Sequence, residues 1–122
     1  MRFWLLLLFA GSAFGHEMTP AYPKLVPSYI PGILKTDMEM FNRRADVEFY
    51  EIGVFDKEWN TVPFVTAYKI LRLKYLGHVK FEVFIKAEDA RSAYYICSKS
   101  KLRSEVSNTP MVSSRICSKV KD

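Results

Sequence analysis

Residues 79–86 read VKFEVFIK, with Val79, Phe81, Val83 and Ile85 on one side of an alternation and Lys80, Glu82 and Lys86 on the other. Residues 33–42 (ILKTDMEMFN) repeat the pattern. Leu34, Thr36, Met38 and Met40 share one face, and Lys35, Asp37 and Glu39 the other. A period of two places alternate side chains on opposite faces of an extended chain, so both segments read as half-buried strands and not as helices. Such strands bury one face only by packing against a second layer.

The rest of the chain supplies that layer. Residues 47–55 (VEFYEIGVF) are rich in aromatic and β-branched side chains, as strands are. Residues 93–101 (AYYICSKSK) and 111–120 (MVSSRICSKV) read as the last two strands, and 63–65 (PFV) opens a short one. Residues 18–32 contain Pro20, Pro23, Pro27 and Pro31, which fits an extended edge strand or a loop. Polar turns fall at 42–46 and 56–60, a loop at 102–110, and a polar corner with room for one helical turn at 87–92. The short piece 68–75 (YKILRLKY), cut off by Gly77, leaves helix and strand both open. About seven strands separated by turns predict an all-β sandwich or barrel. Ala93-x-Tyr95-x-Cys97 has the spacing of antibody domains, but a strand with an aromatic residue explains it equally. The aromatics Trp59, Phe64, Tyr68 and Tyr75 are expected mostly in the core.

The N-terminus is of a different kind. Met1-Arg2 is followed by the apolar run FWLLLLFA and by small residues at Ala13 and Gly15. This is the layout of a cleavable secretory signal peptide over residues 1–15. The run is shorter than the ~20 apolar residues that a bilayer-crossing helix needs. Cleavage after Gly15 leaves residues 16–122 as one domain, a length that suits an immunoglobulin-like sandwich of ~100 residues. The expected location is periplasmic or secreted, with no membrane span in the mature form.

Both cysteines, Cys97 and Cys117, lie in that domain with nineteen residues between them. An even count in an exported chain favours a disulfide. A pair of free thiols or half of a metal site is the alternative, although no Cys or His lies between the two to complete a zinc site. A bridge would close a ring worth ~3 kcal/mol by chain entropy.

Removing Arg2 leaves 17 basic and 13 acidic side chains, a net charge of +4. The Lys and Arg residues are scattered among acids, whereas a nucleic-acid partner calls for a concentrated basic stripe. No Gly-rich phosphate loop or serine nucleophile elbow is present. Glu48 with Glu51, or Asp37 with Glu39, could form acid pairs, but strand alternation assigns them first to solvated faces. The chain is therefore expected to be a non-enzyme without a cofactor.

The order of features resembles the N-terminal domain of PapD-like periplasmic pilus-assembly chaperones. Tyr22-Pro23-Lys24-Leu25-Val26 resembles that family's extended first strand with a basic residue, and Met38-Glu39-Met40-Phe41-Asn42 a strand ending in Asn. Pro63-Phe64-Val65 and Lys69-Ile70-Leu71-Arg72-Leu73 resemble its approach to the next strand. Asp89-Ala90-Arg91-Ser92-Ala93-Tyr94-Tyr95 resembles its acidic corner, and Cys117-Ser118-Lys119-Val120 the end of its last strand. The resemblance implies a protein partner, such as a pilus or surface subunit, bound by edge-strand pairing. It implies that Lys24 and Lys119 hold the partner's terminal carboxylate, and that Val112, Ser114 and Ile116 form the pairing strand. One branch of the family also bridges its last two strands, as Cys97 and Cys117 would here. The chain departs from the family in lacking a second domain and in having serines at 113 and 114 where large aliphatics fill a subunit groove.

Two other functions fit the sequence. If His16 becomes the N-terminus, its amine and ring form a chelate for Cu(II), with His78 as a second ligand. Alternatively the chain is a structural or accessory surface protein, using exposed aromatics such as Trp59 and Tyr68 as a contact patch.

Overall fold

The computed structural model describes residues 16–101 and 114–120, and the expected signal peptide, the 102–110 loop and Val112 lie outside them. Among the described residues there are eight strands: β1 (His16–Thr19), β2 (Val26–Pro27), β3 (Ile33–Asn42), β4 (Phe49–Phe55), β5 (Ile70–Arg72), β6 (His78–Lys86), β7 (Tyr95–Lys101) and β8 (Arg115–Lys119). A single helical turn, α1 (Ala87–Ala90), sits in the polar corner. No helix among these residues is long and apolar enough to cross a membrane.

The two alternating segments recognised first are direct neighbours. Strands β3 and β6 pair antiparallel with Leu34 opposite Ile85, Thr36 opposite Val83, Met38 opposite Phe81 and Met40 opposite Val79. Each predicted apolar face therefore meets the other residue by residue. β1 and β2 share the opposite edge of β3, β1 beside its C-terminal half and β2 beside its start. The second sheet runs β5-β4-β7-β8, all antiparallel. The chain crosses between sheets three times, from β3 to β4, from β5 back to β6 and from β6 to β7, the Greek-key connection of an immunoglobulin-like sandwich. The core between the layers holds Met38, Met40, Tyr50, Ile52, Val54, Val83, Ile85 and Ile96. Each buried aliphatic of this size contributes about 1.5–3 kcal/mol.

Cys97 and Cys117 stand opposite each other in the β7–β8 ladder and form a disulfide, with their Cα atoms 4.0 Å apart. Their strand neighbours Ile96, Ser98 and Ser118 face the core. The bridge therefore lies on the outer face of one sheet, not between the two.

Several expectations are corrected. His16 and Met18 begin a strand ahead of the prolines, because the alternation of buried His16 and Met18 with exposed Glu17 and Thr19 continues upstream. Residues 63–65 make only one bridge, Val65 to Phe84, since the chain then leaves for the other sheet. The open reading of 68–75 resolves as the short strand β5. Trp59 is 45 % exposed, Tyr68 71 % and Tyr75 55 %, whereas Phe64 packs against the core. The first three sit in connections that run over the surface, where no ladder turns them inward. Tyr95 faces outward and stacks on Trp59, so the Tyr-x-Cys spacing marks a strand with an aromatic residue.

Candidate functional site

His16 and His78 flank β3 on its two sides, opposite Asn42 and Phe41 respectively. Adjacent residues of a strand point to opposite faces, and the two imidazoles do so here. His16 is 2 % exposed. Its Nε2 lies 2.7 Å from Ser98 Oγ, its Nδ1 3.4 Å from Ser114 Oγ, and its ring is tilted against Tyr50 at 4.5 Å. His78 lies at the surface and contacts Glu39 at 3.3 Å. The structure does not bring the two together, and no group of three or more metal-ligating side chains occurs among the described residues. Burial holds the His16 pKa below the ordinary histidine value; a hydrogen bond to the Ser98 backbone carbonyl works against it, and the Arg44 charge lowers it further. His16 is thus a neutral core residue.

Beside it, Asn42 is fully buried and uses its whole amide. Its Nδ2 donates to the carbonyls of Val47 and Leu73 at 2.9 and 2.8 Å. Its Oδ1 accepts from the Arg44 backbone N–H at 2.8 Å and from the Tyr50 hydroxyl at 2.5 Å. Burial pushes the Tyr50 phenol up to about 12. This cluster fastens the turn after β3 to both sheets. In the sequence Asn42 stands out only as a strand end at the start of a polar turn.

Of the residues implied to pair with a partner, Ile116 packs against the domain's own core and Ser114 bonds back to Ser100. The side chains on β8 that face outward are Arg115, Cys117 and Lys119. Ile116 therefore turns inward, away from any partner's groove. The Lys119 N–H donates to the Ala21 carbonyl at 2.9 Å, which draws the segment containing Lys24 alongside the end of β8. Both lysines are exposed. The Lys119 ammonium lies 5.0 Å from the Tyr94 ring, and interaction with that phenol holds its pKa above the ordinary lysine value.

An open sheet edge occurs instead on β6. Near its C-terminal end, Phe84 exchanges two backbone bonds with Val65, each 2.8 Å, and the Glu82 carbonyl accepts from Thr66 Oγ1 at 2.7 Å. Because Phe84 points its backbone groups away from β3, so do His78, Lys80 and Glu82, by the same period of two. No strand among the described residues lies beside His78–Glu82, where an immunoglobulin-type sheet continues with a further strand. Below this edge is a groove of about 830 Å³ whose lining includes Tyr68, Leu71, Val79 and Phe81. No local pattern marks it, since whether an edge is covered depends on a distant part of the chain.

No protein-family model matches the chain, and no curated protein matches it. The fold and the site define a class: an all-β sandwich with immunoglobulin-like strand order, a disulfide within one sheet and, among the described residues, an uncovered edge on the other.

Proposed function

We propose that the protein is an exported protein-binding module that takes up an extended segment of its partner by strand addition. The observation that carries this reading is the edge of β6, uncovered among the described residues, over a groove that sets Tyr68, Leu71, Val79 and Phe81 beside the charged Asp37, Glu39, Lys80 and Glu82. Main-chain bonds to the outward groups of Lys80 and to the Glu82 N–H would supply affinity, and alternate side chains of the added strand would enter the groove. This assigns edge pairing to β6, not to β8. Export through residues 1–15 into the periplasm or the outside is part of the same reading. It is supported by the signal-like N-terminus and by a disulfide, which persists in oxidising compartments. A pilus or surface subunit is the partner that the chaperone resemblance suggests.

The test is hydrogen exchange, read by mass spectrometry, with and without such a subunit from the same source. Protection of residues 78–82 on binding is expected. Lys80→Pro should abolish that protection, because proline removes the outward N–H and leaves the ladder to β3 intact. Binding that leaves 78–82 unprotected, or that survives Lys80→Pro unchanged, would refute it.

A further inference from the structure

The outer faces of the two sheets differ in how their charges are matched. On the β3–β6 face, Lys35 pairs with Glu82 and Asp37, His78 contacts Glu39, and Arg43 pairs with Glu17. On the β4–β7–β8 face the cations outnumber the acids. Lys69, Lys99 and Arg115 line a groove of about 570 Å³. None of the three has an acid within ion-pair distance among the described residues. Glu51, which also lines the groove and stands opposite Lys99, is paired with Lys101 at 3.3 Å.

Lys99 and Arg115 are directly opposite each other in the β7–β8 ladder. Their pair has the closer, non-hydrogen-bonded spacing, because the bonds run through Ser100 and Ser114 next to it. Like charges so placed destabilise a sheet. The Arg115 guanidinium leans over the low row formed by Gly53, Cys97 and Cys117 and rests against two rings. It lies 5.6 Å from the Phe55 centroid and 5.0 Å from that of Trp59. Gly53 keeps this passage open, since a Cβ there would meet the Phe55 ring at 3.0 Å. Trp59 is held in place by stacking on Tyr95 at 4.1 Å, from a backbone with φ of 70° that bulky residues seldom adopt. The result is an arginine held against two rings, with no hydrogen bond from its guanidinium among the described residues.

We infer that this groove binds an acidic, extended segment of a partner protein, with a carboxylate held by Arg115 and flanked by Lys99. Guanidinium is the side chain suited to two-point capture of a carboxylate, and clamping it in advance reduces the ordering cost on binding. The apolar walls, Phe55, Pro63 and Phe64, accept the side chains between the acids. A polysaccharide or nucleic acid would call for a basic track along the surface, whereas these cations surround one pocket. The surface is separate from the β6 edge and stands or falls independently of it.

The probe is a displayed library of dodecapeptides randomised over Asp, Glu and apolar residues, with a second library in which Asn and Gln replace the acids. Once residues 1–15 are removed, Trp59 is the sole tryptophan and reports binding directly. Recovered peptides should carry at least two acids, alter Trp59 emission, and weaken as salt rises. Arg115→Gln should cost roughly tenfold or more in affinity, as loss of a hydrogen bond to a charged group does. Lys99→Gln, which leaves the aromatic clamp untouched, should weaken binding in the same direction even if the Arg115 variant folds poorly. Lys80→Pro should leave peptide affinity unchanged. The proposal is overturned if the amide library performs equally well, if neither variant weakens binding, or if a heparin hexasaccharide binds this groove while no acidic peptide does.

Discussion

Acidification should destabilise the wild-type sandwich more than a variant whose residue 16 cannot accept a proton. His16 is buried against Tyr50 with Nε2 on Ser98, and burial is the main cause of its lowered pKa. In the unfolded chain the imidazole takes its proton near the ordinary histidine value of 6.5, whereas the folded protein holds it off to lower pH. Between those two values the unfolded state binds more protons, so stability falls as pH falls. Well above 6.5 the contribution is complete and flat. The limiting slope is about 1.4 kcal/mol per pH unit. Moving from pH 7.5 to 5.5 therefore removes at most ~1.4 kcal/mol through this residue, about three quarters of it below 6.5. Against a total of ~5–15 kcal/mol this is measurable. Urea unfolding, followed by circular dichroism at pH 7.5, 6.5 and 5.5, should show the wild-type midpoint dropping faster than that of His16→Gln. Glutamine keeps a donor for Ser98 but does not titrate. Parallel midpoints for the two proteins would refute a buried, neutral His16.

Replacing both cysteines by alanine should cost ~3 kcal/mol of unfolding free energy in urea, the chain-entropy value for a ring of this size. Asn42→Ala should cost at least ~3 kcal/mol, because it strands the Val47 and Leu73 carbonyls, the Arg44 N–H and the Tyr50 hydroxyl at once. A thermal melt unchanged by that substitution would contradict the described network. N-terminal sequencing of exported protein should begin at His16, and a start beyond Met18 would remove β1.

The parts of the fold legible in the sequence are those where a local rule coincides with a long-range one. Alternation in 33–42 and 79–86 identified both strands and their inward faces, and the two faces are joined in the sheet. The cysteines were readable as a pair because they are two in number and lie on adjacent final strands. Trp59, Tyr68 and Tyr75 were misplaced because hydrophobicity was allowed to stand for burial outside any ladder. Read as a mature N-terminus, His16 suggests a chelate, although the HEMT alternation already continues the strand pattern. Arg115 could have been placed outward, since it shares strand parity with Cys117 and Lys119. Neither its contact with Phe55 and Trp59 nor the bare edge of β6 has a local signature. Both depend on which strands the topology sets side by side.

Because the sulfur bridge joins neighbours within a single layer, the two layers are held to each other by packing and hydrogen bonds alone. Ladder pairing by itself sets Cys97 facing Cys117, so oxidation locks an arrangement that the backbone has already reached. A reductant should thus loosen one hairpin while leaving the interior of the sandwich intact.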